Sequence, residues 1–257
     1  MKILIASIVT CILLIMSNTT QAGDTLRFCQ GEMPPYIFKQ QGEKPVTGIW
    51  PTVIQEVFKH RADITIESVV LPWKRCQKEV LYGKSDGFYM ATKTPKRAND
   101  YLLLPSFHTL RIPYYYSTKA YPQGFTWDSY NDLNNKTIGI LRGYTYFADF
   151  HEAWDNKQLN AEYGDDIEIN LKKLLNGRLD LVWDCERIVN YHLQKLGITN
   201  TIKESTGKHH IHEVGQHIGL SKTGKAIKYS DFIIKRLNEM QTSGELARIV
   251  NQDYSKY

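Results

Sequence analysis

The chain has 257 residues, 42% hydrophobic and 12% aromatic, with a formal net charge of +5. That composition suits a protein with a real core and excludes disorder as the main theme. The mild basic excess is spread along the chain, with no basic block or Arg-rich helix of the kind that nucleic acid would need.

Met1-Lys2, an apolar run from Ile3 to Met16 and a polar stretch ending Thr20-Gln21-Ala22 open the chain. This is the layout of a secretory signal cleaved after Ala22. The run falls short of the roughly 20 residues that span a bilayer, and no later stretch is long and apolar enough. The expected mature chain starts at Gly23 and keeps Cys29, Cys76 and Cys185. In an oxidising compartment this odd count allows at most one internal disulfide and leaves one thiol.

Gly23 to Phe28 reads as a short strand, followed by a loop from Cys29 to Pro35. Pro51 to Lys59 has Val53, Ile54, Val57 and Phe58 at helical spacing, with Pro51 in the first turn. Ile64 to Leu71 alternates as a strand. Pro72 to Tyr82 is a helix stopped by Gly83. Gly87 to Met90 is a buried strand, Thr94-Pro95 opens a short helix, and Leu102 to Leu104 leads to a strand from Arg111 to Ser117. A second series follows: a helical turn at Ser129 to Leu133, a strand at Thr137 to Leu141, a helix at Tyr144 to Trp154, then strand end and helix at Ile167 to Gly177. The strand Leu179 to Trp183 and the helix Glu186 to Leu196 come next. The chain closes with a strand at His217 to Leu220 and helices at Lys225 to Met240 and Glu245 to Val250. Strand–helix alternation implies parallel sheets covered by helices.

The two series look alike. Thr25 to Gly31 opens one and Thr137 to Gly143 the other. Each later carries Leu-x-Gly-x-x-Asp: Leu81, Gly83 and Asp86, then Leu175, Gly177 and Asp180. Two related α/β lobes follow, with a cleft between them. Ligands of open α/β sheets sit beyond the carboxyl ends of the strands.

Two strand ends carry useful chemistry. After the strand ending at Met90, Thr94 is a natural N-cap with Pro95 at the first helical position. Free N–H groups there attract anions, and Arg97 adds a fork that binds carboxylate bidentately; ordinary basic residues on a surface helix are the bland alternative. After the strand ending at Trp183, Asp184 is either an acceptor for an ammonium group or an N-cap of the next helix.

The ordered set of segments resembles a known family, the type II periplasmic solute-binding proteins, specifically family 3, the polar amino-acid receptors of ABC importers. The matching pieces are Pro34-Pro35-Tyr36, Leu71 to Arg75, Gly83 with Asp86, Thr94 to Arg97, Leu133 to Gly143, Gly177 with Asp180 and Asp184, Gly215 to Lys222, and Ser243 to Leu246. They cover nearly the whole mature chain. The resemblance implies a Venus flytrap: two doubly wound α/β lobes joined by two hinge strands. Residues 1–22 are then the signal peptide, 23–108 plus 216–257 lobe one, and 109–215 lobe two. It implies a periplasmic receptor that captures a small amino-acid-like ligand and delivers it to the membrane permease of an ABC importer. A sensory membrane protein as partner is the alternative, as is a periplasmic dehydratase-type enzyme on the same fold. By the same resemblance Arg97 clamps the ligand's carboxylate and Asp184 its ammonium. Thr92 and Thr145 add hydrogen bonds, and Tyr36, Met33 and Trp73 contact the rest, Met33 standing where many members carry an aromatic. Trp50 and Trp183 are candidate lining residues that burial habits assign to the core.

In this frame Cys29 and Cys76 lie on neighbouring connections and are expected to form the disulfide, provided their Cα atoms are within about 7 Å; Cys185 is left as a semi-buried thiol. Glu32, Asp184 and Glu186 are the carboxyls placed for acid catalysis, but no catalytic motif surrounds them. His209, His210, His212 and His217 are judged a mobile polar segment rather than a zinc site. No cofactor or metal is implied, and a monomer is expected.

Overall fold

The computed structural model describes residues 23–39, 45–142 and 144–254; the expected signal peptide and Gly143 lie outside these. No described helix is long and apolar enough to cross a membrane. Ten strands follow in chain order: β1 Asp24–Gln30, β2 Ile64–Val70, β3 Gly87–Thr92, β4 Leu102–Leu103, β5 His108–Ser117, β6 Thr137–Leu141, β7 Asn160–Gly164, β8 Leu181–Trp183, β9 Ile202–Glu204 and β10 Ile211–Leu220. The helices are α1 Ile49–Phe58, α2 Trp73–Leu81, α3 Pro95–Asp100, α4 Ala148–Asp155, α5 Ile167–Leu175, α6 Glu186–Leu196, α7 Ser230–Thr242 and α8 Glu245–Val250.

The sheet path runs β2-β1-β3-β10-β5-β8-β6-β7. It is two copies of one pattern. In lobe one, β1 lies parallel to β2 and β3, and β10 closes the edge antiparallel to β3. In lobe two, β6 lies parallel to β7 and β8, and β5 closes the edge antiparallel to β8. The long strands β5 and β10 pair with each other from His108↔Gln216 to Pro113↔Ile211 and so tie the halves together.

The repeat seen in the sequence is real, but its register is two residues off. The Asp86 carboxylate accepts from the Arg27 N–H at 2.8 Å, while its own N–H donates to the Arg27 carbonyl at 2.7 Å. Asp180 makes the same pair of bonds with Thr137, both at 2.9 Å. Arg27, not Thr25, therefore corresponds to Thr137. Gly83 and Gly177 end the preceding helices with φ of 70° and 68°, where a Cβ is strained.

Several boundaries differ from the sequence reading. β1 runs on to Gln30. Both connecting strands start earlier than expected, at His108 and Ile211, because their pairing with each other rather than apolar alternation sets their length. β7 and β9 were unrecognised; β7 is largely polar and exposed, so it lacks an apolar signature. The segment expected as a helix from Tyr144 is extended up to Phe147, and α4 begins at Ala148. The Tyr146 hydroxyl turns back to accept from the Leu141 N–H at 2.6 Å. The late helix splits into a 3-10 turn, Lys225–Tyr229, and α7.

One apolar core runs through lobe one and continues into α5 and α6 of lobe two, from Leu26 and Tyr36 to Cys185 and Ile188. Lobe two has a second, aromatic core of Tyr114, Trp127, Phe150 and Trp183.

Candidate functional site

Lobe one presents Arg97. The Thr94 hydroxyl caps α3 by accepting from the Arg97 N–H at 3.2 Å, which fixes the backbone at that position. The same bond uses an N–H that had been expected to meet an anion, so on this helix the guanidinium is the anion-binding group. Its Nη1 donates to the Thr92 carbonyl at 2.8 Å, and its plane sits 5.5 Å above the Trp73 ring. Trp73 packs edge-on against Phe88. A disulfide between Cys29 and Cys76, with Cα atoms 5.6 Å apart, ties the end of β1 to the first turn of α2 and so holds Trp73 in place. Arg97 is half-buried, and among the described residues it has no carboxylate partner. Burial accordingly pulls its pKa down. A desolvated guanidinium without a counterion is poised for one.

Lobe two presents Asp184 at the end of β8. It is 5% exposed. Its Oδ1 accepts from the Cys185 N–H at 2.6 Å, and among the described residues its Oδ2 meets no donor. Burial raises its pKa to about 7 against the pull of that N–H. The N-cap position of α6 belongs to Cys185, so Asp184 does not cap that helix.

The lobes touch across the cleft. The Tyr36 hydroxyl lies 3.4 Å from the Cys185 thiol, Phe38 packs against Tyr191 at 6.1 Å, and Arg187 donates to the Asn251 side chain at 3.1 Å. Tyr36 stacks on Trp50 at 5.4 Å, and the Trp50 indole N–H meets the Met90 sulfur. His108, beside Trp50 and half-buried, is pushed down to about 4 by burial and by the Arg187 charge. Burial lifts the Cys185 thiol to about 11, so it is no nucleophile at neutral pH.

The remaining expected residues are dispersed. Thr92 ends β3, with its hydroxyl 3.4 Å from the Gln216 amide. Met33 is buried and pairs through its backbone with Ile37. Thr145 is exposed on the extended segment, and no bond joins it to Arg97 or Asp184. Trp50 and Trp183 are core residues. Glu186 is taken up by Arg111 at 3.0 Å, and Glu32 is an exposed acceptor for the Lys39 N–H. The histidines diverge: His210 turns to the Gly207 carbonyl, His212 stacks on Phe147, and His217 meets the Leu104 carbonyl. Sequence reasoning passed over Arg187 and His108.

No protein-family profile and no curated protein sequence matches the chain. Solved structures do. An ancestral arginine-binding protein bound to arginine superposes with a TM-score of 0.70 at 18% identity, over 89% of this chain and 97% of that one. The amino acid ABC transporter substrate-binding protein AbpA of Streptococcus pneumoniae, bound to L-arginine, gives 0.70 at 14% identity, over 88% and 92%. A structure from work on glutathione import through GshT and the cystine ABC importer of Streptococcus mutans gives 0.72 at 17%, over 88% and 93%. The chain thus has the two-lobed Venus-flytrap fold shared with amino-acid-binding proteins of ABC transporters.

Proposed function

We propose that the protein is an exported solute-binding receptor that captures a small amino-acid-like ligand between its lobes and delivers it to the permease of an ABC importer. The observation that carries this is Arg97: a half-buried guanidinium oriented by Thr92 and Trp73 just after β3, without a carboxylate partner among the described residues. Opening about β5 and β10 would divide the chain into 23–108 with 216–257 and 109–215. It would part Tyr36 from Cys185 and uncover Asp184. A ligand carboxylate then docks on Arg97, and an ammonium group meets the free Asp184 oxygen as the lobes close. Because contacts to both lobes exist only in the closed form, ligand shifts the hinge equilibrium. The receptor reading is favoured over an enzyme, since Glu186 is held by Arg111 and Asp184 is sealed by its neighbours. Export through the first 22 residues and a monomeric state belong to the same proposal. A thermal-shift screen of the mature protein against amino acids, small peptides, polyamines and organic acids tests it. A hit that stabilises the wild type and Arg97→Ala equally would sink the carboxylate role.

A further inference from the structure

The arginines fall into three groups. Arg27 is paired with Glu67 and Glu79, Arg61 with Asp63, Arg111 with Glu186 and Glu204, Arg142 with Asp165, and Arg236 with Glu239 and Glu245. Arg75, Arg178 and Arg248 are exposed and need no partner. Only Arg97 and Arg187 are half-buried without a carboxylate among the described residues. Arg97 follows β3 of lobe one, and Arg187 of lobe two reaches lobe one at Asn251.

Arg187 sits in the first turn of α6. It donates to the Asn251 amide oxygen, a neutral acceptor that leaves its charge unbalanced. Its charge acts on the Tyr36 phenol and the His108 ring, both in the seam between lobes. Strand register relates it to Arg97. Thr92, whose carbonyl holds Arg97, is opposite Gln216, and Gln216 is opposite His108. Two strand spacings separate Thr92 from His108, or about 10 Å. The carbonyl that anchors Arg97 and the ring that feels the Arg187 charge therefore lie two strands apart in one sheet. Asp184, three residues before Arg187, is buried on the Cys185 N–H, and no ion pair joins it to Arg187 among the described residues.

We infer that the cleft takes a small acid with two anionic groups, such as a four- or five-carbon dicarboxylic acid with or without an amino group, one anion on Arg97 and the second on Arg187. This rests on the receptor reading above and narrows its ligand. A cationic or neutral side chain would leave the half-buried Arg187 with only the neutral Asn251 acceptor, whereas a second carboxylate would meet it with charge-assisted bonds.

Calorimetric and thermal-shift titrations of the mature protein with L-glutamate, glutarate, L-glutamine and L-arginine test the inference. L-glutamate or glutarate is expected to bind at least about tenfold tighter than L-glutamine and L-arginine, the scale of one charge-assisted bond. A preference for L-glutamate over glutarate would assign the amino group to Asp184; equal binding would leave it without a role. Both outcomes support the dianion. Arg187→Gln should weaken L-glutamate about 10- to 100-fold while leaving L-glutamine nearly unchanged. If Arg187 only straps the lobes together, Arg187→Gln and Asn251→Ala will weaken every probe alike, and the inference falls. It also falls if L-glutamine or L-arginine binds as tightly as the diacids, although the receptor reading then stands, or if neither diacid binds at millimolar concentration. The receptor reading is judged separately, by whether any ligand of the wider screen depends on Arg97.

Discussion

The two lobes handle charge in opposite ways. On lobe one, Arg97 keeps contact with solvent, leans on Trp73 and is held by a neutral carbonyl. On lobe two, Asp184 is enclosed, with one oxygen unbonded and a pKa of about 7. The support beneath them differs too. A disulfide fixes the Arg97 side, while the Asp184 side leads into a free thiol that touches the opposite lobe. One side holds a half-buried cation on a neutral carbonyl; the other holds a buried carboxyl with one oxygen unbonded among the described residues.

The comparison can be broken at several points. The largest effect should come from the staple. The disulfide closes a loop 47 residues apart in sequence, so reducing it or replacing both cysteines with serine should cost about 4 kcal/mol. Calorimetry should show this loss, and an unchanged Tm would mean that lobe one does not rely on it.

Asp184→Asn tests the enclosed side. A carboxyl raised to about 7 from its unfolded value binds its proton more tightly in the folded state. Its contribution is complete below about pH 4 and is lost as pH rises through about 7. Wild type should therefore lose stability relative to Asp184→Asn across that window, by up to roughly 4 kcal/mol at about 1.4 kcal/mol per pKa unit. Parallel pH profiles would show that Asp184 is solvated instead. His108 runs the other way. With its folded value near 4, its contribution is complete above about pH 6.5 and is lost as pH falls. His108→Gln should remove that acid-side loss, measured by the same melts.

Arg97→Ala tests the exposed side. Loss of a charge-assisted anchor should weaken ligand by about 3 kcal/mol, with the ligand-free Tm nearly unchanged. Trp73→Ala should do less, about 1 kcal/mol of affinity, since it orients the guanidinium without touching the carboxylate.

The sequence made the lobes legible because their signals are local. Asp86 and Asp180 follow glycines that end helices, and each bonds one residue of its lobe's first strand. Arg97 was legible for the same reason: cap, proline and arginine lie within four residues. One helix boundary was less legible. Tyr144 to Trp154 reads as a single helix, yet the Tyr146 hydroxyl turns the first residues back onto Leu141. Arg187 carries no local signal of its place, because its guanidinium reaches Asn251, 64 positions away in the other lobe.

By itself the sequence determined two strand–helix series, their repeat, and an arginine set at a strand end, because strand periodicity, glycine stops and caps act over a few residues. Only the tertiary structure decided the two-residue register of that repeat, the full length of the connecting strands, and the charge state of the cleft. Burial and counterions are properties of what packs opposite a side chain, and that is set by residues more than a hundred positions away.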